Sequence, residues 1–175
     1  MPHADWYGLA RFNQLTERHA IDVLYECCSS TGWAARIAAA RPFVTKEALL
    51  EYADQVLAEL TDTDIDDALA GHPRIGDRSD SAASTREQSG VVGADHAVLT
   101  ELRELNDAYE ATFGHVYLVF ANGRPAAELL AILKERLGND PATERQVMRA
   151  ELAKINRNRL LGVLTPADDE HTGAQ

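Results

Sequence analysis

With 175 residues, 45% apolar and 26% charged, the chain is long enough to bury a core and has a globular composition. Its net charge of −11 offers no basic footprint for a nucleic-acid backbone. No apolar run approaches the ~20 residues that span a bilayer. Neither end carries a recognisable address ("MPHADWYGLARFNQL" lacks a basic stretch before an apolar one, and "TGAQ" is not peroxisomal), so a cytoplasmic location is expected.

Helical spacing dominates the chain. In "TERHAIDVLYECCSS", residues Ala20, Ile21, Leu24, Cys27 and Cys28 recur at i, i+3 and i+4, the pattern of one buried helix face. The adjacent cysteines form neither a CxxC redox pair nor a zinc knuckle and read as small buried hydrophobes. "STGWAARIAAARP" predicts a second short helix, closed near Pro42. "TKEALLEYADQVLAEL" predicts an amphipathic helix with Leu49, Leu50, Ala53, Val56, Leu57 and Leu60 on one face and Thr45 as N-cap. "TDIDDALAG" predicts a short acidic helix starting at Thr63, with Asp66 in the capping-box position and Gly71 as its stop.

Residues 71–93 then lose periodicity and fill with Gly, Ser, Asp and Arg, a long connection of the kind that often carries function. Within it, Ser84 and Glu87 of "STREQSG" have the spacing of an N-cap and its capping-box partner. "ADHAVLTELRELNDAYEATFG" predicts a helix with Val98, Leu99, Leu102, Leu105, Ala108 and Tyr109 inward, broken by Gly114. "VYLVFA" is a continuous apolar run that reads equally as strand, buried helix or extended segment, since no second strand exists to pair with it. "RPAAELLAILKERLGND" has Pro125 near its first turn and Gly138 as its stop. The last helix has Asp140 as N-cap, Pro141 at its first position, and an apolar face of Val147, Leu152, Ile155 and Leu160 or Leu161. The expected fold is all-α, one compact domain of about seven or eight helices over residues 1–175. The tail over 165–175 is polar and expected to be flexible.

Three places can carry chemistry, and each has a plainer reading. In "GHPRIGD", Pro73 drives His72 off the helix line and restricts the backbone that presents a group titrating near neutrality. The plainer reading is a helix end with a surface histidine. In "STREQ", Ser84, Glu87 and Gln88 can present a hydroxyl, a carboxylate and an amide together, or serve the helix start alone. In "NRNRLL", Arg157 and Arg159 point to different faces, and an inward Arg159 would suit a carboxylate. The alternative is two solvated cations near a helix end. His3 and His171 sit near the ends, His19 and His96 in exposed helix starts, and His115 follows the Gly114 break, where it can line a pocket. No metal-binding, nucleotide-binding or nucleophile-elbow motif appears.

Taken together, "GHPRIGD", "STREQSGV", "LNDAYEATFGHVYLVFANGR" and "ERLGND…E…ELAKINRNRL" resemble, in order, the motifs of the OHCU decarboxylases. These enzymes convert 2-oxo-4-hydroxy-4-carboxy-5-ureidoimidazoline, a late intermediate of urate breakdown, to (S)-allantoin and CO2. The resemblance covers about residues 9 to 164. It implies an all-helical, cofactor-free and metal-free homodimer acting on a small anionic substrate, with possible association with other urate-pathway enzymes. It puts the catalytic histidine at His72 with Pro73 on the substrate. It puts the SxxEQ motif at Ser84, Glu87 and Gln88, with Thr85 and Arg86 contributing the intervening backbone. The last-helix arginine falls on Arg159, and backbone contacts fall on Tyr117, Leu118, Val119, Phe120 and Ala121. His72, Glu87 and Arg159 are thereby the expected catalytic set. One stretch departs: many members read FGFPF where this chain has "FGHVY".

The chemistry fits these residue types. Loss of CO2 can push electrons into the neighbouring C=N of the ring, so the substrate carries its own electron sink. The enol-like product must then gain a proton on one face of the ureido carbon. A metal-dependent hydrolase using His72, His115 and Glu87, or a helical interaction module, are the rival readings.

Overall fold

The computed structural model describes residues 8–76 and 82–164. Among them all regular structure is helical: α1 (Gly8–Gln14), α2 (Glu17–Cys27), α3 (Thr31–Ala39), α4 (Lys46–Glu59), α5 (Asp62–Leu69), α6 (Ala82–Glu87), a 3₁₀ turn (Ser89–Val91), α7 (His96–Phe113), α8 (Ala126–Arg136) and α9 (Pro141–Leu164). The expected flexible tail 165–175, together with His3 and His171, lies outside the described residues. Two compact units form, one from residues up to Asp64 and from Asn156 onward, the other from Ile65–Ile155. Among the described residues no helix is long and apolar enough to cross a membrane.

In the first unit α3 packs on α2 and α4. Trp33 of α3 is fully buried, and its indole N–H donates to the Ala53 carbonyl of α4 at 3.1 Å. Ser30 caps α3 by accepting from Trp33 N (3.2 Å), and Thr45 caps α4 by accepting from Ala48 N (3.1 Å). All six predicted apolar residues of α4 are buried, as are the free thiols of Cys27 and Cys28. The sequence pattern missed α1. A seven-residue helix with one buried side chain, Phe12, offers no periodicity to read. Arg41 holds its end, donating to the Phe12 and Leu15 carbonyls at 2.8 Å each while lying over the Phe12 ring.

α5 starts one residue earlier than expected, at Asp62. Its capping box is Thr61 with Asp64, in which Asp64 N donates to Thr61 Oγ1 (3.2 Å) and Thr61 N to Asp64 Oδ2 (3.4 Å). The repeated "TDTD" allows two registers, and the upstream one leaves Asp66 to pair with Arg145 at 2.8 Å.

In the second unit α7 packs on α8. Its core gathers Leu102, Tyr109, Tyr117, Val119, Leu129 and Leu133. Gly114 ends α7 at φ 78°, a conformation glycine adopts without a side-chain penalty. Two faces are shifted from the expected ones. On α7 Ala108 is exposed and Asn106 is buried, donating to the Ile75 and Leu102 carbonyls. On α9 Met148, rather than Val147, is the buried residue, and Leu160 is buried while Leu161 is exposed. Asp140 caps α9 as predicted, accepting from Thr143 N at 2.9 Å. The "VYLVFA" run is neither strand nor helix: residues 116–121 have no regular secondary structure, with Tyr117, Leu118, Val119 and Ala121 buried.

Candidate active site

The GHPRIG turn is built differently from the sequence expectation. Gly71 does not stop α5 through a left-handed φ; the glycine with that geometry here is Gly76, at 95°. The helix tightens instead, with Gly71 N bonding the Ala68 carbonyl (3.4 Å) and His72 N the Leu69 carbonyl (3.0 Å). Pro73 then prevents continuation. On the far side Arg74 clamps to α7, donating to both Glu110 carboxylate oxygens (2.7 and 2.5 Å) and to Asp107 (2.8 Å). Those bonds, that to Glu110 first, push the Arg74 pKa further up. His72 therefore sits in a short turn pinned at both ends.

That turn forms one wall of an open cavity of about 650 Å³. Its lining comprises Asp66, Leu69, Ala70, His72, Arg74, Glu110, Gly114, His115 and Val116. Of the predicted site residues, His72 faces this cavity; Pro73, the STREQ residues and residues 117–121 are not on its wall. The STREQ segment is instead tied to the histidine turn through a hydrogen bond from Gly76 to Gln88.

The STREQ segment is not a capping box. α6 begins at Ala82, so Ser84 lies inside the helix, buried rather than capping it. Thr85 and Arg86 are exposed, and Glu87 and Gln88 half-buried. Gln88 Oε1 accepts from Gly76 N (2.9 Å), joining STREQ to GHPRIG. The Glu87 carbonyl accepts from Gly123 N (2.9 Å), joining it to the chain just beyond Ala121. Gly90 seals this junction, for a Cβ there would lie 2.3 Å from the carbonyl oxygens of Gly123 and Arg124.

A buried segment outside helix and sheet cannot satisfy its own backbone, and here side chains do part of that work. Arg136 donates to the Leu118 carbonyl (2.5 Å), and Phe120 N donates to Glu151 (2.7 Å). Arg136 is itself buried and paired with the fully buried Glu144. Glu144 also accepts from Tyr109 Oη (2.5 Å) and Asn139 Nδ2 (3.0 Å). Burial, then the Glu144 bond, pushes the Tyr109 phenol well up. The sequence reading gave these residues no role, although "ERLGND…E…EL" contains Arg136, Asn139, Glu144 and Glu151. By contrast, the buried Val119 makes no backbone hydrogen bond to another described residue.

Arg159 belongs to the first unit, where it is half-buried and donates to the Cys27 carbonyl at 3.3 Å. Arg157 diverges from it as expected and pairs with Asp54 at 3.1 Å.

The sequence matches the family model for OHCU decarboxylase over residues 13–161. It is 34% identical over 142 residues to the uric acid degradation bifunctional protein TTL of Arabidopsis thaliana, covering 77% of this chain and 44% of that one. It is 29% identical over 138 residues to the 2-oxo-4-hydroxy-4-carboxy-5-ureidoimidazoline decarboxylase of Amia calva, covering 75% of this chain and 79% of that one. Among solved structures, an OHCU decarboxylase determined in the presence of (S)-allantoin superposes with a TM-score of 0.72 at 28% identity, covering 82% of this chain and 97% of its own. The chain thus spans less than half of the bifunctional relative and nearly all of the solved structure.

Proposed function

The chain belongs to the OHCU decarboxylase family, and from that premise we propose that it decarboxylates 2-oxo-4-hydroxy-4-carboxy-5-ureidoimidazoline to (S)-allantoin and CO2. The observation that carries this reading is the interlock in the second unit. The His72 turn, the STREQ helix and the turn at residues 121–124 are bonded through Gly76–Gln88 and Glu87–Gly123, and the His72 turn lines an open cavity.

In this reading His72 handles the proton at the substrate hydroxyl or carboxylate. Its turn is short and pinned, which limits the conformations the imidazole must lose on reaching a productive geometry. Glu87 orients the ureido or ring N–H groups, and Ser84 and Gln88 complete the hydrogen-bonding wall with the backbone of Thr85 and Arg86. Pro73 packs on the substrate. The backbone of residues 117–121 supplies further contacts, and the unbonded backbone of Val119 supports that assignment. Arg159 holds an anionic oxygen. Cleavage releases CO2 while the electron pair moves into the ring C=N, so the substrate itself stores the charge. The active form is a homodimer in the cytoplasm, in contact with other enzymes of urate breakdown.

The test couples the protein to urate, urate oxidase and hydroxyisourate hydrolase, and follows optical activity. Formation of (S)-allantoin faster than in the protein-free control is the expected result; racemic product at the control rate overturns the reading. General acid–base assistance contributes about 10²–10⁴-fold, so His72→Asn is expected to lose at least about 10²-fold in turnover while keeping its helical circular dichroism. Near wild-type turnover in that variant removes His72 from the mechanism.

A further inference from the structure

The decarboxylase reading requires three proton transfers: a ring nitrogen takes one and the hydroxyl gives one up, both through His72, and the neighbouring ureido carbon takes one. We propose that His115 is a second proton-transfer group of the same cavity and delivers the proton to the ureido carbon. The inference rests on the reaction proposed above.

The cavity wall carries two imidazoles from different elements, His72 after α5 and His115 after α7. Its other titratable side chains are engaged in ion pairs, Arg74 with Glu110 and Asp107, and Asp66 with Arg145. His115 Nδ1 lies 3.0 Å from the Val116 carbonyl. A carbonyl only accepts, so Nδ1 carries a proton in both the neutral and the charged ring. The other ring nitrogen, Nε2, has no hydrogen-bond partner among the described residues. The ring is held in place by Phe113, stacked at 6.4 Å, and by Tyr109, edge-on at 5.5 Å. Gly114, in its left-handed conformation, ends the helix directly before it. The result is a fixed imidazole on the cavity wall with Nε2 uncommitted.

The step balances. The bond to the carboxylate breaks, its electron pair forms a double bond between the two ring carbons, and the imine pair moves to the ring nitrogen, which takes a proton. The resulting enol then loses its O–H proton to form the ring carbonyl. The double-bond pair takes the Nε2 proton of His115 at the ureido carbon, fixing its configuration. His115 regains a proton from solvent, so CO2 is replaced by one proton.

Two substitutions separate this role from packing. His115→Phe keeps a ring against Tyr109 and Phe113. His115→Asn keeps a donor for the Val116 carbonyl. Both lack Nε2. With the ureidoimidazoline generated enzymatically and product chirality read by circular dichroism, both variants should keep KM within about threefold of wild type. They should lose at least about tenfold in kcat and release allantoin of reduced (S) excess. A kcat within about threefold of wild type with undiminished (S) excess in either folded variant overturns the proposal, and if one variant does not fold the other decides. Wild-type protein that itself leaves the product racemic and the rate uncatalysed fails the reaction reading instead.

Discussion

Two arginines, one in each unit, solve the same problem under different conditions. Arg41 in the first unit and Arg136 in the second each reach carbonyls distant in sequence and each lie over aromatic rings, Phe12 for one, Tyr109 and Tyr117 for the other. Arg41 is half-buried and its recorded bonds go to carbonyls alone. Arg136 is 5% exposed and is matched by the fully buried carboxylate of Glu144. The difference follows from what surrounds each. The first unit is helix on helix, and the arginine there holds the end of α1. The second unit buries a stretch without regular secondary structure, and a charge taken that deep must bring its counter-charge.

Breaking the deeper of the two is expected to have the largest effect. Glu144→Leu strands the Arg136 guanidinium and should destabilise by about 3–5 kcal/mol in urea unfolding, whereas replacing both together with Arg136→Met should recover most of that loss. A double variant as unstable as the single one would mean that the pair is not the unit of stability. Arg41→Met is expected to cost less, about 1–3 kcal/mol, because its carbonyls can turn to water. A loss equal to that of Glu144→Leu would erase the distinction between the arginines.

The third prediction belongs to the first unit. Burial pushes the Cys27 thiol up to about 12 and the Cys28 thiol up to about 11, well above an ordinary thiol. Above pH 9 the unfolded chain gives up these protons while the folded chain keeps them, so the folded state binds more protons and stability falls as pH rises. The slope approaches about 1.4 kcal/mol per pH unit for each thiol, and the double variant Cys27→Ala/Cys28→Ala should flatten it. An unchanged slope would assign the alkaline loss to other groups. The smallest effect is Thr45→Ala, about 1 kcal/mol from the lost cap on α4, with no change in turnover.

What could be read beforehand follows the same division. α4 was legible to its last buried residue because an amphipathic helix states its face in the spacing of Leu49, Ala53, Val56 and Leu60. His72 was legible because proline leaves a restricted backbone in plain view. The role of Arg136 was not, because its partners stand far from it in sequence: Leu118 is 18 residues away and Tyr109 27. The misassigned cap at Ser84 has a similar cause. Serine followed three residues later by glutamate has the same spacing whether it opens a helix or lies within one, and Ala82 and Ala83, good helix formers, extended α6 upstream. The register errors at Ala108 and Val147 arose where a polar residue, Asn106, or a longer one, Met148, took the inward position.

Gly90 carries a consequence for variation at this locus. Its α-hydrogen faces two carbonyl oxygens across a gap that no side chain can enter, since even a methyl carbon would come within 2.3 Å of both. Every missense change at that codon therefore pries the STREQ segment from the turn at residues 123–124, however mild the new residue looks by polarity or size. In a saturation library selected for allantoin formation, position 90 should tolerate nothing but glycine. The neighbouring Val92, 82% exposed, should accept most replacements.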